Sequence, residues 1–272
     1  MKHCKNCLSE DLKILINTSE YSLIKCNSCA FFFKDIGETN YESLREEDFT
    51  CLNYDRKNEV IELDSVIRKF CKKNKIRVLE IGSGTSSILD EFKKLGYDVI
   101  GVEPSKAPIQ ISKEVFPYIE VINDYFTSGL IAKEVDIILL YDVVEHLEPN
   151  NPLFKEICDF MGLGTLLLIK SGNPLSFNAQ LFISHWRYVL VESHISFYSK
   201  KALKKFCEKL DLNLIKYYRF RHAYGGLHFL KYLKNIFKFI LKKFCIDTLL
   251  KRNFSIELAN DHFIAVIKKN IF

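Results

Sequence analysis

VLEIGSGTSSILDEFKKLGYDVIGVEPS, residues 78–105, is the stretch on which the fold turns. Its first residues are a buried apolar strand, Gly82 and Gly84 stand in the turn that follows, and a helix opens at Ser86 and ends near Leu95. A second strand then runs to Glu103. Glycine in such a turn lets the backbone approach a ligand, and the amides at the helix start face it. Glu103 lies 21 residues after Gly82, where a carboxylate can accept hydrogen bonds from both hydroxyls of a ribose. A Gly-x-Gly turn alone says little, but strand, turn, helix, strand and terminal acid in register point to a nucleotide-like ligand.

Outward from that unit, short apolar runs alternate with amphipathic stretches, the pattern of a parallel sheet with crossover helices. The strands expected are 77–81, 98–103, 119–123, 135–142, 165–170, 212–220 and 262–268, with helices at 86–95, 107–115, 151–161 and 200–210. The fold class is therefore α/β, a doubly wound, Rossmann-like, seven-stranded and mostly parallel sheet within residues 75–272. Ahead of it, residues 37–74 form a charged linker ending in a helix with Val60, Ile61, Leu63, Val66, Ile67 and Phe70 at helical spacing.

Four of the nine cysteines fall in the first 29 residues as two Cys-x-x-Cys pairs, Cys4 with Cys7 and Cys26 with Cys29. Two residues between ligands let both sulfurs reach one ion, and four thiolates close a tetrahedral shell with no open position. Residues 1–36 thus read as a small zinc ribbon whose Zn²⁺ is structural, with short strands at 11–16 and 21–25 and an apolar patch at 30–33.

A chain of 272 residues that is 48% hydrophobic has the means to bury a core. The net charge of +5 is a weak signal that permits an anionic partner without requiring nucleic acid. The start of the chain lacks the pattern of a signal peptide, and no apolar run approaches the ~20 residues of a membrane span. A cytoplasmic location is expected, where cysteines are metal ligands or buried thiols before they are disulfides.

VLEIGSGTSS, GVEPS, NDYF and LYDVVEHLEP, in this order and spacing, resemble the motifs of class I S-adenosylmethionine-dependent methyltransferases, especially a broad bacterial group whose fourth strand runs into an Glu-His dipeptide. A nicotinamide site wants a third glycine where Ser87 stands, and has no use for Glu80, which in a methyltransferase can face the amino group of the cofactor's methionine part. The resemblance implies Glu80, Gly82 and Gly84 at the methionine end, Glu103 on the ribose, and Asp124 with Tyr125 on adenine. It implies Asp142 beside the methionine part or the reacting centre.

The ribbon and the segment SHISFYSKKAL are similar to bacterial sugar and surface-glycan methyltransferases. In the carbon-methylating members a Tyr and a Glu precede the equivalent of His194, whereas this chain has Val191 and Ser193. The resemblance therefore implies a hydroxyl oxygen of a sugar, nucleotide-sugar or surface-glycan precursor as acceptor. A hydroxyl must lose its proton, so His146 with the adjacent Glu145, after the fourth strand, and His194, beyond the fifth, are the candidate catalytic residues. His185, Trp186 and Arg187 are expected on an acceptor-facing lid.

Two other readings stand beside this one. A zinc-ribbon RNA methyltransferase would suit the basic balance, but the fourth strand ends in YDVV without the proline and aromatic used to grip a base, and the ribbon is not notably basic. A non-catalytic cofactor-binding scaffold is opposed by the intact Gly82, Gly84 and Glu103. A basic helical insertion is expected at about 225–255, with Phe229, Leu233, Ile236 and Phe237 on one face and Lys231, Lys234, Lys238 and Lys242 on another. It reads as a helix packed on its own domain or on a second copy in a homodimer, as one lying peripherally on an anionic membrane, or as a site for an acceptor phosphate.

Overall fold

A computed structural model describes residues 2–36, 55–132, 134–220 and 261–270. The amino-terminal lobe contributes β1 (Leu12–Asn17), β2 (Ser22–Cys26) and β3 (Phe31–Asp35), and α1 (Lys57–Phe70) leads into the larger sheet. There follow β4 (Arg77–Ile81), α2 (Ser87–Lys94), β5 (Asp98–Val102), α3 (Lys106–Val115), β6 (Glu120–Ile122) and β7 (Ile137–Tyr141). Next come α4 (Pro152–Phe160), β8 (Leu166–Gly172), α5 (Phe177–Leu181), α6 (Arg187–Leu190) and β9 (Ser196–Tyr198). The chain closes with α7 (Lys200–Lys209), β10 (Leu212–Phe220) and β11 (His262–Lys269).

Seven strands form one sheet in the order β10-β11-β8-β7-β4-β5-β6. Every pairing is parallel except those of β11, which runs antiparallel to both β8 and β10. The expected seven-stranded α/β fold is thus the observed one. The central strands are covered on both sides, which is why β7 and the first four residues of β8 are apolar without alternation. Alternate residues still divide between two cores. Val78, Ile137, Leu139, Leu166 and Leu168 pack with Val60, Leu63, Val66 and Ile67 of α1 on one face. Leu79, Ile138, Leu140, Leu167 and Ile169 pack on the other with Phe154 of α4 and Leu203 and Phe206 of α7. Helix starts follow their sequence signals: Asn151 caps α4 ahead of Pro152, and Ser199 caps α7 by accepting from the Ala202 amide.

The amino-terminal lobe is more deeply tied to the rest than its sequence suggests. The apolar patch after the second cysteine pair is itself a strand, β3, and β3 pairs antiparallel with β9, joining Phe31 to Tyr198 and Phe33 to Ser196. Its sheet is therefore four-stranded, β1-β2-β3-β9, with one strand supplied from far along the chain. Ile24, Phe31 and Phe33 belong to the same buried cluster as Leu140, Tyr198 and Phe206. Leu23 and Phe32 form a further cluster with Trp186, Tyr188 and Phe197. Trp186, expected on a lid, is instead interior at 1% exposure, with its Nε1 donating to Asp261 Oδ1 at 2.9 Å. A large indole whose only polar atom finds a buried acceptor gains more inside than at a rim. The insertion expected at about 225–255 lies outside the described residues. Among those residues, no helix is long and apolar enough to cross a membrane.

Candidate active site and metal centre

Ligands of open α/β sheets bind beyond the carboxyl ends of the strands where the order reverses, here between β4 and β7. Gly82 has φ 75° and Gly84 φ 52°, left-handed values that glycine adopts without strain. A Cβ on Gly82 would stand 2.8 Å from Val143 Cγ2, whereas one on Gly84 would meet nothing within 4 Å. The first glycine permits close packing and the second leaves open space. Glu103 turns back over this turn: Gly84 N donates to Oε2 at 2.9 Å and Ser105 N to Oε1 at 2.8 Å. Its carboxylate is thereby fixed just beyond the end of β5.

Glu80, in the middle of the β4–β5–β7 pairing, is 2% exposed, and its Oε2 has no hydrogen-bond partner among the described residues. Burial, reinforced by the neighbouring Glu103 charge and only partly offset by Arg56, raises its pKa well above the usual carboxylate range. A buried acid in that condition calls for a cation, which suits the ammonium of a methionine moiety. Asp124 and Tyr125 are exposed at the rim, with the Tyr125 amide donating to Asp124 Oδ1 at 2.7 Å.

Arg56, just ahead of α1, was not singled out from the sequence. Its charge acts on Tyr141, Glu59, Asp142 and Glu80, and its Nε is buried with no partner among the described residues. A lone arginine in a charged linker carries no sequence signal that separates it from a solvated one.

Asp142 sits just beyond β7 at φ 52°. Lys170 Nζ donates to both its oxygens, at 3.0 and 2.7 Å, and Tyr188 Oη donates to Oδ1 at 2.7 Å. Although burial opposes the charge, Lys170, His262 and these hydrogen bonds hold Asp142 well below the usual range. The absence of a side chain at Gly172 lets Tyr188 reach it, since a Cβ there would lie 2.6 Å from the ring. Glu145 is fully buried, accepts from Ser171 Oγ at 2.9 Å, and is pushed well above its usual range by burial and by Asp142.

The two candidate histidines converge. His146, on a short 3-10 turn (Val144–His146), and His194 meet edge to face with ring centroids 4.6 Å apart. His194 Nδ1 lies 3.1 Å from the Tyr188 carbonyl, an acceptor only, so Nδ1 carries the proton and Nε2 presents a lone pair. Burial first, and His146 second, lower the His194 pKa well below that of a free imidazole. His185 is exposed, with its Nδ1 3.0 Å from Ser184 Oγ.

At the other centre, Cys4, Cys7, Cys26 and Cys29 place their sulfurs within 4.8 Å of one another. Cys4 and Cys29 are 3.7 Å apart and Cys7 and Cys26 3.6 Å. A tetrahedron with ~2.3 Å metal–sulfur arms has edges of about 3.8 Å, so the donor set fits zinc. The two knuckles match. Leu8 and Ala30, each following the second cysteine of its pair, have φ 63° and 55°, and their amides donate to Cys4 O and Cys26 O. Asn6 Nδ2 faces Cys29 Sγ at 3.8 Å and donates to Ala202 O at 2.9 Å, linking the knuckle to α7.

The seven-stranded sheet has the Rossmann-like fold of methyltransferases. The chain belongs to the family described as methyltransferase domain, which matches residues 40–217. It is 35% identical over 85 residues, 31% of the chain, to an uncharacterized methyltransferase of Alkaliphilus oremlandii. It is 32% identical over 109 residues, 36% of the chain, to a ubiquinone biosynthesis O-methyltransferase of Nitrobacter winogradskyi. The matched segments span 39% and 41% of those relatives' own lengths. A crystal structure of a SAM-dependent methyltransferase from Archaeoglobus fulgidus superposes with TM-score 0.53 at 21% identity, covering 85% of this chain and all of that one.

Proposed function

We propose that this chain moves the methyl group of S-adenosylmethionine onto a hydroxyl oxygen of a small acceptor, a sugar, nucleotide-sugar or surface-glycan precursor, with His194 as the general base. The observation that carries this reading is the fixed tautomer of His194, whose Nδ1 bond to the Tyr188 carbonyl leaves Nε2 able to accept a proton. Glu80, Gly82, Gly84 and Glu103 would hold the cofactor, Asp124 and Tyr125 its adenine, and Arg56 the carboxylate at its methionine end. The cofactor supplies an electrophilic methyl on a sulfonium. The protein's part is to hold the acceptor oxygen within roughly 3 to 3.5 Å of that carbon, in line with the leaving sulfur, while His194 takes the hydroxyl proton. His146 packs against His194 and discourages a charge there before the acceptor arrives.

Three relatives bear the name ubiquinone biosynthesis O-methyltransferase, which favours oxygen as the accepting atom. The ribbon, taken as a structural zinc site, supports the glycan-directed reading over that one. Incubation of zinc-loaded protein and labelled cofactor with nucleotide-sugars, simple catechols and RNA in parallel separates the acceptors. Label in RNA alone would reject the proposal, and label in the catechol alone would keep the oxygen and discard the sugar.

A further inference from the structure

Lys34 is a lysine of the ribbon strand β3, yet it is 2% exposed. Its backbone amide donates to Ile195 O at 2.9 Å and its Nζ to Val191 O at 2.6 Å. Those two carbonyls bracket His194 in sequence and hold its loop from both sides. From the opposite side the Ile195 amide donates to Glu145 O at 2.7 Å, so the loop is also tied to the residue next to His146. The Lys34 ammonium lies over the Tyr21 ring, 4.8 Å from its centroid. No carboxylate stands within ion-pair distance of it among the described residues.

Burying an ammonium with one carbonyl and an aromatic face for company is costly. Burial pulls its pKa down to about 8, with Glu192 opposing. Filling the space is not what demands this lysine. Phe32, two residues back on the same face of β3, packs on that side with an apolar side chain and no desolvation cost. What a lysine adds is a donor long enough to pin the Val191 carbonyl.

We propose that Lys34 is a positioning residue for methyl transfer, clamping the loop that carries His194, so that the cysteine-bearing lobe is a working part of the acceptor site. The inference rests on the reading of His194 as base. Its test needs no acceptor. In full-length, zinc-loaded protein with ¹⁵N-labelled histidine, the wild-type His194 imidazole should show one neutral tautomer, protonated at Nδ1, across the near-neutral range. Lys34→Met should replace it with averaged tautomers and move its protonation toward higher pH, while S-adenosylhomocysteine binds with unchanged affinity by calorimetry. Lys34→Arg, which keeps a charged donor, should restore the single tautomer at least in part. An unaltered His194 signal in Lys34→Met would overturn the proposal. Should that variant not fold, Lys34→Gln carries the same comparison with the same deciding outcome. Failure of the base reading shows elsewhere, as full turnover in His194→Gln.

Discussion

His146 and His194 stand edge to face, 4.6 Å between ring centroids, although one follows β7 and the other precedes β9. Two imidazoles this close cannot both be charged cheaply, and burial already disfavours charge on His194. His194→Gln should therefore lower turnover by about 10²- to 10⁴-fold while leaving S-adenosylhomocysteine affinity within a factor of two or so. His146→Ala should cost less and shift the pH dependence. Because the folded pKa of His194 is depressed, the rate should not fall off at the ~6.5 of a free imidazole but at lower pH. Linkage has the same sign: neutral burial stabilises above the unfolded pKa, and stability is lost as pH falls below it. A turnover profile with its acid limb at the free-imidazole value would remove His194 from the base role.

The turn and its flanking acids make a second case. Glu103→Ala should weaken S-adenosylhomocysteine binding by at least about tenfold, the equivalent of one ~1.4 kcal/mol charged contact. Glu80 gives a subtler signature. Its folded pKa is raised by burial and by Glu103, so without the cofactor it keeps its proton to higher pH than an ordinary carboxylate, and a cofactor ammonium would displace that proton. Calorimetry in buffers of different ionisation enthalpy should show proton release, and affinity should climb with pH until Glu80 ionises unaided. Binding with no proton exchange would argue that the ammonium goes elsewhere.

What could be read from the sequence follows from how local its causes are. The bounds of β4, α2, β5 and α7 fall within one or two residues of expectation because their periodicity and caps lie inside the elements themselves. Gly82, Gly84 and Glu103 were legible for the same reason, since a turn followed by an acid at the next strand's end is a short-range pattern. By contrast β9 is only three residues long and is a strand solely because β3 lies beside it, a tertiary cause that no window of sequence contains. Trp186 and Lys34 were misjudged or overlooked for a related reason. Their burial depends on Asp261 and Val191, partners far away in the chain.

Lys170 and Asp142 form a buried ion pair at 2.7 Å with side chains 7% and 31% exposed. Burial lowers the lysine pKa and Asp142 opposes that, so each charge depends on the other. Lys170→Met should leave the Asp142 charge without its main partner and cost on the order of 3 kcal/mol, with a clear drop in the urea midpoint. The double variant Lys170→Met, Asp142→Leu should recover part of that loss. Equal stability of the single and wild-type proteins would mean that the pair is open to solvent.

The cysteine centre is best tested by the tryptophan. The chain holds one Trp, and its indole is packed at 5.4 Å from the Phe197 ring in the cluster that Leu23 and Phe32 of the ribbon complete. Zinc bound by four thiolates contributes on the order of 10 kcal/mol to the lobe that carries them. Stripping the metal should therefore undo the β3–β9 pairing and expose Trp186, red-shifting its emission before the larger sheet melts. Cys26→Ser should reproduce the shift and abolish binding of one equivalent of Zn²⁺ per chain, whereas Cys158→Ser, in a half-buried cysteine outside the cluster, should do neither. Emission indifferent to metal, in protein shown to have lost it, would mean that β3 and β9 hold the ribbon in place without the ion.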